Sequence, residues 1–247
     1  AHYERALALR ESAFGPDHPD LAVPLNLLGI VAQQQGRLDE ARACHGRALA
    51  LTEKALGPDH PGLADVLNNL GEVALKEGQL DQARAFYERA AALWEAALGP
   101  DHPALAVPLT NLGEVALRAG QLDQARANFG RALAIWERAL GPDHPNLAYP
   151  LTGLGRALLA RKTPAEAIPP LERALSLRSA HPGDPVDLAE TRFALARALG
   201  DAPAGAGRDR PRARELAESA RAALAAAGER AIQTLAEVRA WEAAHKR

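Results

Sequence analysis

The sequence predicts an all-α fold, a right-handed α-solenoid of stacked antiparallel helix hairpins. The pentapeptide Gly-Pro-Asp-His-Pro begins at Gly15, Gly57, Gly99 and Gly141, which gives a repeat period of 42 residues. Within each period, two runs with apolar residues at helical spacing are separated by a short break. One such hairpin cannot bury both of its faces, so neighbouring hairpins must stack and share a continuous core.

Segments 57–98 and 99–140 are identical at 30 of 42 positions, so the repeat does not arise by chance. In segment 1–14, Tyr3 aligns with Tyr87, and we therefore expect the first helix of that repeat to lie upstream in a longer protein. The predicted organisation is a single solenoid domain over residues 1–247: a half repeat at 1–14, repeats at 15–56, 57–98, 99–140 and 141–180, a degenerate repeat at 181–227 with an inserted loop at 201–211, and a C-terminal capping helix at 228–247.

Each repeat contains two predicted helices with different packing residues. In the first, apolar residues recur at steps of three and four over 63–74, which gives one buried stripe. Gly78 ends this helix, because glycine adopts the positive φ of a helix C-terminus without a steric penalty. The second helix, predicted from about Leu80 to Leu98, carries alanines that let the two helices approach closely.

Prolines and one lysine depart from this pattern. Three first helices carry a proline a few residues inside, which predicts a kinked or delayed start. These residues are Pro24, Pro108 and Pro150. The equivalent residue of the remaining repeat is Val66, which predicts a regular start. In the fourth repeat, Pro169-Pro170 predicts a bent or late second helix, and Lys162 replaces the glycine of the turn, which predicts an irregular turn.

Composition argues against several classes of partner. The formal net charge is −2, so the chain lacks the positive field that attracts nucleic acid or anionic membranes, and we expect neither as a partner. No stretch approaches the roughly 18 consecutive apolar residues of a membrane-spanning helix. The single cysteine, Cys44, excludes an intrachain disulfide framework and suits a reducing compartment, which predicts a cytoplasmic location.

The sequence predicts no catalytic residue, no metal ligand and no cofactor, and hence no enzyme. The common phosphate-loop, zinc-protease and nucleophile-elbow motifs are absent. Successive pentapeptide histidines lie about one hairpin apart, near 10 Å, whereas zinc lies about 2 Å from each ligand, so we assign them a structural role. Cys44 and His45 are neighbours on a helix and point about 100° apart, which favours packing over a nucleophile-base pair.

The order and spacing of five packing residues resemble the tetratricopeptide repeat: Leu70, Gly71, Ala83, Tyr87 and Ala90. The 42-residue period, the His-Pro before each first helix and the Leu-Asn-Asn-Leu at 67–70 resemble the kinesin light chain type more narrowly. The resemblance implies a scaffold whose first helices line a concave groove that binds a protein or an extended peptide. The composition, rich in alanine and arginine, indicates a GC-rich bacterial source, so we expect a piece of a larger bacterial protein.

In this family the second, fifth and ninth places of each first helix point into the groove. A row of amides suits an extended peptide, because each amide both donates to and accepts from a peptide bond. In kinesin light chains the corresponding asparagines hold cargo peptides. Ninth-place charges, acidic in the middle repeats and basic in the later ones, are predicted to set the direction of the peptide. The candidate binding residues are Asn26, Asn68, Asn69, Glu72, Thr110, Asn111, Glu114, Thr152, Arg156, Phe193 and Arg197.

Three alternatives stay open at this stage. In the first alternative, the asparagines form hydrogen bonds with the neighbouring helix or with solvent and do not bind a peptide. In the second, the array is a regulatory region of a multidomain bacterial signalling protein, for example a serine/threonine kinase. In the third, the chain forms homo-oligomers through its N-terminal face, where Leu7, Leu9 and Phe14 lack an upstream cover.

Overall fold

The computed structural model describes residues 2–245, without the side chains of residues 2–4, 6, 229 and 230. The described chain folds into α-helices joined by short 3-10 turns and loops, and contains no strand. Two expectations fall outside the described residues: the match of the Tyr3 side chain to Tyr87, and the end of the capping helix at 246–247. The internal contacts divide the chain into two units, Ala1–Ala119 and Gly120–Arg247.

Both units consist of consecutive helices with short connections. In unit 1, α2 packs against α3 and α4 against α5, so each pair forms a hairpin. The helices of unit 1 are α1 (His2–Phe14), α2 (Ala22–Gln34), α3 (Leu38–Leu56), α4 (Ala64–Lys76), α5 (Leu80–Leu98) and α6 (Ala106–Arg118). The helices of unit 2 are α7 (Leu122–Leu140), α8 (Ala148–Ala160), α9 (Pro164–Ala180), α10 (Pro185–Asp201), α11 (Arg210–Ala226) and α12 (Ile232–Ala244). In unit 2, α8 pairs with α9 and α10 with α11, and α12 packs on α11.

The pentapeptide ends one hairpin and starts the next. Gly57 adopts a φ of 88° at the end of α3 and donates its N–H to the carbonyl of Glu53 at 2.8 Å. His60 then caps the 3-10 turn Pro61–Leu63, because its Nδ1 accepts the N–H of Gly62 at 3.0 Å. Equivalent histidine caps precede α2, α6 and α8, and these are His18, His102 and His144. The pentapeptide histidines therefore have the predicted structural role.

Close packing of glycine against a large side chain holds each hairpin of unit 1 together. Tyr87 on α5 is fully buried over Gly71 on α4, where an added Cβ would lie 2.6 Å from the tyrosine Cε1. His45 on α3 is equally buried over Gly29 on α2, where an added Cβ would lie 2.5 Å from the imidazole Cε1. A histidine thus fills the aromatic position of the first hairpin, as expected from its packing interpretation. These contacts explain why both first helices carry glycine at the crossing.

The turn between α8 and α9 stores backbone strain. Lys162 adopts a φ of 62°, in the left-handed region that Gly78 occupies with a φ of 76° in unit 1. A side chain in this region costs about 1 kcal/mol. The helix end is still closed by two hydrogen bonds of 3.0 Å, from Lys162 N to Leu159 O and from Thr163 N to Leu158 O. The predicted irregularity is therefore strain in a turn of the usual form.

The sequence predicted either a kink or a late start at the helix prolines, and the late start was wrong. The first helices α2, α6 and α8 begin at the same place in the repeat as α4, which lacks the proline. Their prolines occupy the third helical residue, whose N–H has no partner within a helix, so no hydrogen bond is lost. The helix α9 also begins at the usual place, Pro164, and continues through Pro169 and Pro170 to Ala180, so it does not start late.

Candidate functional site

The candidate site lies on the first helices of unit 1. We use the term first-helix face for the side chains at the second, fifth and ninth places of α2, α4 and α6, with the asparagines at the sixth place of α4 and α6. Helical steps of three and four bring these positions to one side of each helix. All of them are exposed or half-buried: Val23, Asn26, Ile30, Asp65, Asn68, Asn69, Glu72, Val107, Thr110, Asn111 and Glu114.

Asparagines of neighbouring first helices form two amide pairs with the same geometry. Asn69 on α4 donates its Nδ2–H to Oδ1 of Asn26 on α2 at 3.0 Å. Asn111 on α6 donates its Nδ2–H to Oδ1 of Asn68 on α4, also at 3.0 Å. The alternative that the asparagines bond to a neighbouring helix is thus realised for one polar atom of each side chain. Within residues 2–245, the second polar atom of each amide makes no further hydrogen bond.

A buried histidine lies behind the first amide pair. The Nδ1 atom of His45 lies 2.8 Å from Oδ1 of Asn26, and its Nε2 atom is buried without a hydrogen-bond partner in the described chain. Burial lowers the pKa of His45 to about 4, and the carboxylate of Glu72 opposes this shift only in part. The imidazole is therefore neutral at pH 7, and it belongs to the amide network as well as to the core.

The hydroxyl and aromatic residues predicted for the site do not join the amide pairs. Thr110 turns its hydroxyl back onto its own helix, donating to the carbonyl of Ala106 at 2.7 Å. In unit 2, Thr152 is 7% exposed and its hydroxyl lies 3.1 Å from that of Thr191. Phe193 is 5% exposed and packs edge-on against Trp241. Both Thr152 and Phe193 are core residues and do not face a ligand, which corrects their assignment.

Charged residues at the ninth place are accessible but already have partners. Glu72 accepts from Lys76 at 2.9 Å and Glu114 from Arg118 at 2.8 Å, each one helical turn further along the same helix. Such exposed pairs contribute about 0.3–0.5 kcal/mol, so a ligand displaces them at little cost. In unit 2, Arg156 is half-buried on α8, and the guanidinium of Arg197 on α10 lies 5.9 Å from the ring centre of Phe193.

A second polar cluster lies in unit 2. Tyr149 at the second place of α8 is 47% exposed, and the guanidinium of Arg178 lies 4.6 Å from its ring centre. Arg178 also pairs with Asp187 at 2.9 Å. Burial raises the pKa of the Tyr149 hydroxyl, and the Asp187 carboxylate adds to the shift. The repeat pattern gave no sign of Arg178, because it comes from the end of a different helix, α9.

No group of three or more His, Cys, Asp or Glu residues suitable for a metal ion occurs among residues 2–245. Within the same range, no helix has both the length and the apolar composition needed to cross a bilayer. Cys44 is a free thiol of intermediate exposure, and partial burial raises its pKa.

Comparison with known proteins agrees with this geometry. The family profile of the tetratricopeptide repeat matches residues 1–44, 23–87, 63–131 and 108–180. A search of curated proteins returned no match. Solved structures with the same fold include BtubC (BKLC) from P. vanneervenii, at 22% identity over 92% of this chain and 88% of that chain with a TM-score of 0.70.

Two further structures give a similar result. A kinesin light chain of Podosopora anserina with nearly identical TPR-like repeats shares 24% identity, over 86% of this chain and 99% of that chain, with a TM-score of 0.64. The apo form of RapI shares 14% identity, over 90% of this chain and 76% of that chain, with a TM-score of 0.73. These identities support the fold alone. Because the repeat profile covers more than half of the sequence and the helices have the matching arrangement, this chain belongs to the tetratricopeptide repeat family and is an all-α solenoid.

Proposed function

We propose that this chain is a non-enzymatic interaction scaffold that binds an extended segment of a partner protein on the first-helix face of unit 1. The proposal depends on the two hydrogen-bonded asparagine pairs, Asn26 with Asn69 and Asn68 with Asn111. Each uses one polar atom of each asparagine for the contact between repeats and leaves the other without a partner in the described chain. Half-buried amide groups in this state favour a ligand that supplies hydrogen bonds.

An extended peptide is the ligand that matches these groups best. Each peptide unit offers one N–H and one C=O, and an amide pair with one unused NH2 and one unused carbonyl complements both. Asn26 and Asn68 contribute the unused NH2 groups, and Asn69 and Asn111 contribute the unused carbonyls. Recognition through the backbone tolerates many side chains, which suits a repeated scaffold.

Side chains around the amide pairs set a preference. Val23 and Val107 are 66% and 37% exposed at the second places of α2 and α6, and they offer apolar contact. Asp65, at the same place on α4, is exposed, and Glu72 lies about two helical turns further along that helix. We therefore expect unit 1 to select segments that combine apolar and basic side chains.

A peptide-display selection on the intact chain, followed by calorimetric titration of the selected peptide, tests this proposal. The double variant Asn68→Ala with Asn111→Ala is expected to weaken binding at least tenfold, since two hydrogen bonds of about 1 kcal/mol each are lost. Asn128→Ala is the matched control, because Asn128 lies on the second helix α7 and outside the first-helix face. Unchanged affinity of the double variant would contradict the proposal.

Self-association is the second candidate function. Leu9 on α1 is 63% exposed, whereas the residues at its place in the other second helices are buried: Leu51, Leu93, Ile135 and Leu177. A second copy that covers this face would bury Leu9. Light scattering after size exclusion at increasing concentration tests this, with Leu9→Glu expected to restore a monomer. A wild-type mass that stays monomeric at all concentrations would exclude this candidate.

A further inference from the structure

The first amide pair differs from the second in having a third group behind it. We propose that His45 fixes the polarity of this pair, so that Asn26 offers only its NH2 group and Asn69 only its carbonyl to a bound segment. The inference rests on the proposed function and names the residue that sets the direction in which unit 1 reads a peptide backbone. His45 is a positioning residue, because it acts through Asn26 and does not touch the ligand.

An amide pair alone has no fixed polarity. Each carboxamide can rotate by half a turn, which exchanges its NH2 group and its oxygen, and the reversed pair contains an equally good hydrogen bond. The polarity is fixed only if another group requires a donor or an acceptor at one member of the pair. His45 makes that contact, because its Nδ1 atom lies 2.8 Å from the same Asn26 oxygen that accepts from Asn69 at 3.0 Å.

The other nitrogen of the imidazole decides which form is stable. The Nε2 atom of His45 is buried and has no hydrogen-bond partner among the described residues. If it carried the proton, a buried N–H would be left without an acceptor, which is rarer in proteins and more costly than a buried lone pair. The proton therefore resides on Nδ1, which makes His45 a donor and requires an oxygen from Asn26.

The second amide pair has no such group. The place of His45 is occupied there by Tyr87, whose hydroxyl is buried without a partner and does not reach the pair of Asn68 and Asn111. That pair is free to adopt either polarity in response to a ligand. The hydrogen-bond polarity is thus fixed in the pair of Asn26 and Asn69 and can reverse in the pair of Asn68 and Asn111.

Four aspartate variants of the intact chain test the polarity by thermal melting. Asn26→Asp keeps an oxygen toward both His45 and Asn69, so we expect its melting temperature to stay near that of the wild type. Asn69→Asp places an oxygen against the oxygen of Asn26, and relief requires the orphaned N–H on His45. We expect its melting temperature to fall by about 4 °C or more.

Asn68→Asp and Asn111→Asp are the matched controls. Because the second pair can reverse, we expect these two variants to melt within about 2 °C of each other. In the His45→Phe background, the difference between Asn26→Asp and Asn69→Asp should disappear. Equal melting of the two first-pair variants in the presence of His45, or greater loss with Asn26→Asp, would overturn the proposal.

Nitrogen NMR of the wild-type imidazole provides a measurement that does not depend on any variant being folded. We expect the Nδ1 signal of His45 at the shift of a protonated ring nitrogen and the Nε2 signal at that of an unprotonated one, at pH 7. A protonated Nε2 would overturn the proposal. Both experiments are free of ligand, so their failure leaves the display selection unaffected, and failure of that selection leaves these results standing.

Discussion

The two units of the chain use one repeat frame but bury the fifth place of their first helices to different extents. In unit 1, Asn26 and Asn68 lie half-buried and bond to the asparagines of the next helix. In unit 2, Thr152 at the fifth place of α8 is buried in the core, and so is Phe193 on α10. A position in the repeat therefore does not determine whether a side chain faces a ligand. The packing of the following helix determines it.

The hairpins differ in the side chain that covers the glycine of the first helix. In unit 1 these side chains are His45 over Gly29 and Tyr87 over Gly71, each with a buried polar atom that lacks a partner in the described chain, whereas in the α8–α9 hairpin of unit 2 it is Leu171 over Gly155, which has no polar side-chain atom. Buried polar atoms without a partner cost stability. His45 also connects the core of unit 1 to the amide pair of Asn26 and Asn69, whereas the Tyr87 hydroxyl does not reach an amide. If the units differ in this way, substitutions in their cores should have different effects on stability.

The largest effect is expected for Tyr87→Ala in unit 1 and Phe129→Ala in unit 2. Both rings are buried against glycine, so each truncation leaves a cavity and should lower the free energy of unfolding by about 3–5 kcal/mol. Hydrogen exchange with peptide-level detection measures where protection is lost. We expect the loss to be centred on the unit that carries the substitution. Equal loss across both units in both variants would show that they unfold as one.

The second largest effect is the dependence of stability on pH. The pKa of His45 falls from 6.5 to about 4 on folding, so between these values the unfolded chain binds a proton that the folded chain does not. The contribution of His45 to stability is therefore constant above about pH 7 and declines as the pH falls from 6.5 toward 4, by about 3 kcal/mol in all. Urea denaturation at several pH values measures this. His45→Phe should flatten the dependence relative to the wild type, and an unchanged slope would contradict the assignment.

A smaller loss is expected for Thr152→Val in unit 2. The substitution keeps the shape of the side chain but removes the hydroxyl that lies 3.1 Å from Thr191, both of which are buried. We expect a loss of about 1–2 kcal/mol in urea denaturation and no change in the affinity of a peptide selected on the first-helix face. If Thr152→Val weakened peptide binding without changing stability, Thr152 would belong to the binding site after all.

The smallest effect is a gain. Lys162→Gly removes a side chain from a left-handed backbone conformation that the equivalent Gly78 adopts without strain, so we expect about 1 kcal/mol of added stability. The matched control is Ala92→Gly, which places glycine at an exposed position in the middle of α5 and should cost about 1 kcal/mol. A loss of stability in Lys162→Gly would show that the lysine side chain makes a compensating contact.

Some features of the structure were predictable from the sequence, and others were not. The 42-residue period predicted the hairpins and a structural role for the pentapeptide histidines, since both depend on local spacing. It did not predict that Thr152 on α8 is buried. It misjudged Pro24, Pro108 and Pro150, because the consequence of a proline depends on whether its N–H has a partner at that turn. It also missed the role of His45 beyond packing, because Asn26 is 19 residues away in the sequence and on another helix.

The sequence by itself determined the repeat, the helices and the family, because a pattern that recurs at a fixed period needs only local rules and identical neighbours. The tertiary structure alone decided which fifth-place residues are accessible, which amides pair between repeats and which buried histidine lies behind them. These outcomes depend on distances between helices that are far apart in the chain, and a difference of a single side chain in the facing helix is enough to change them.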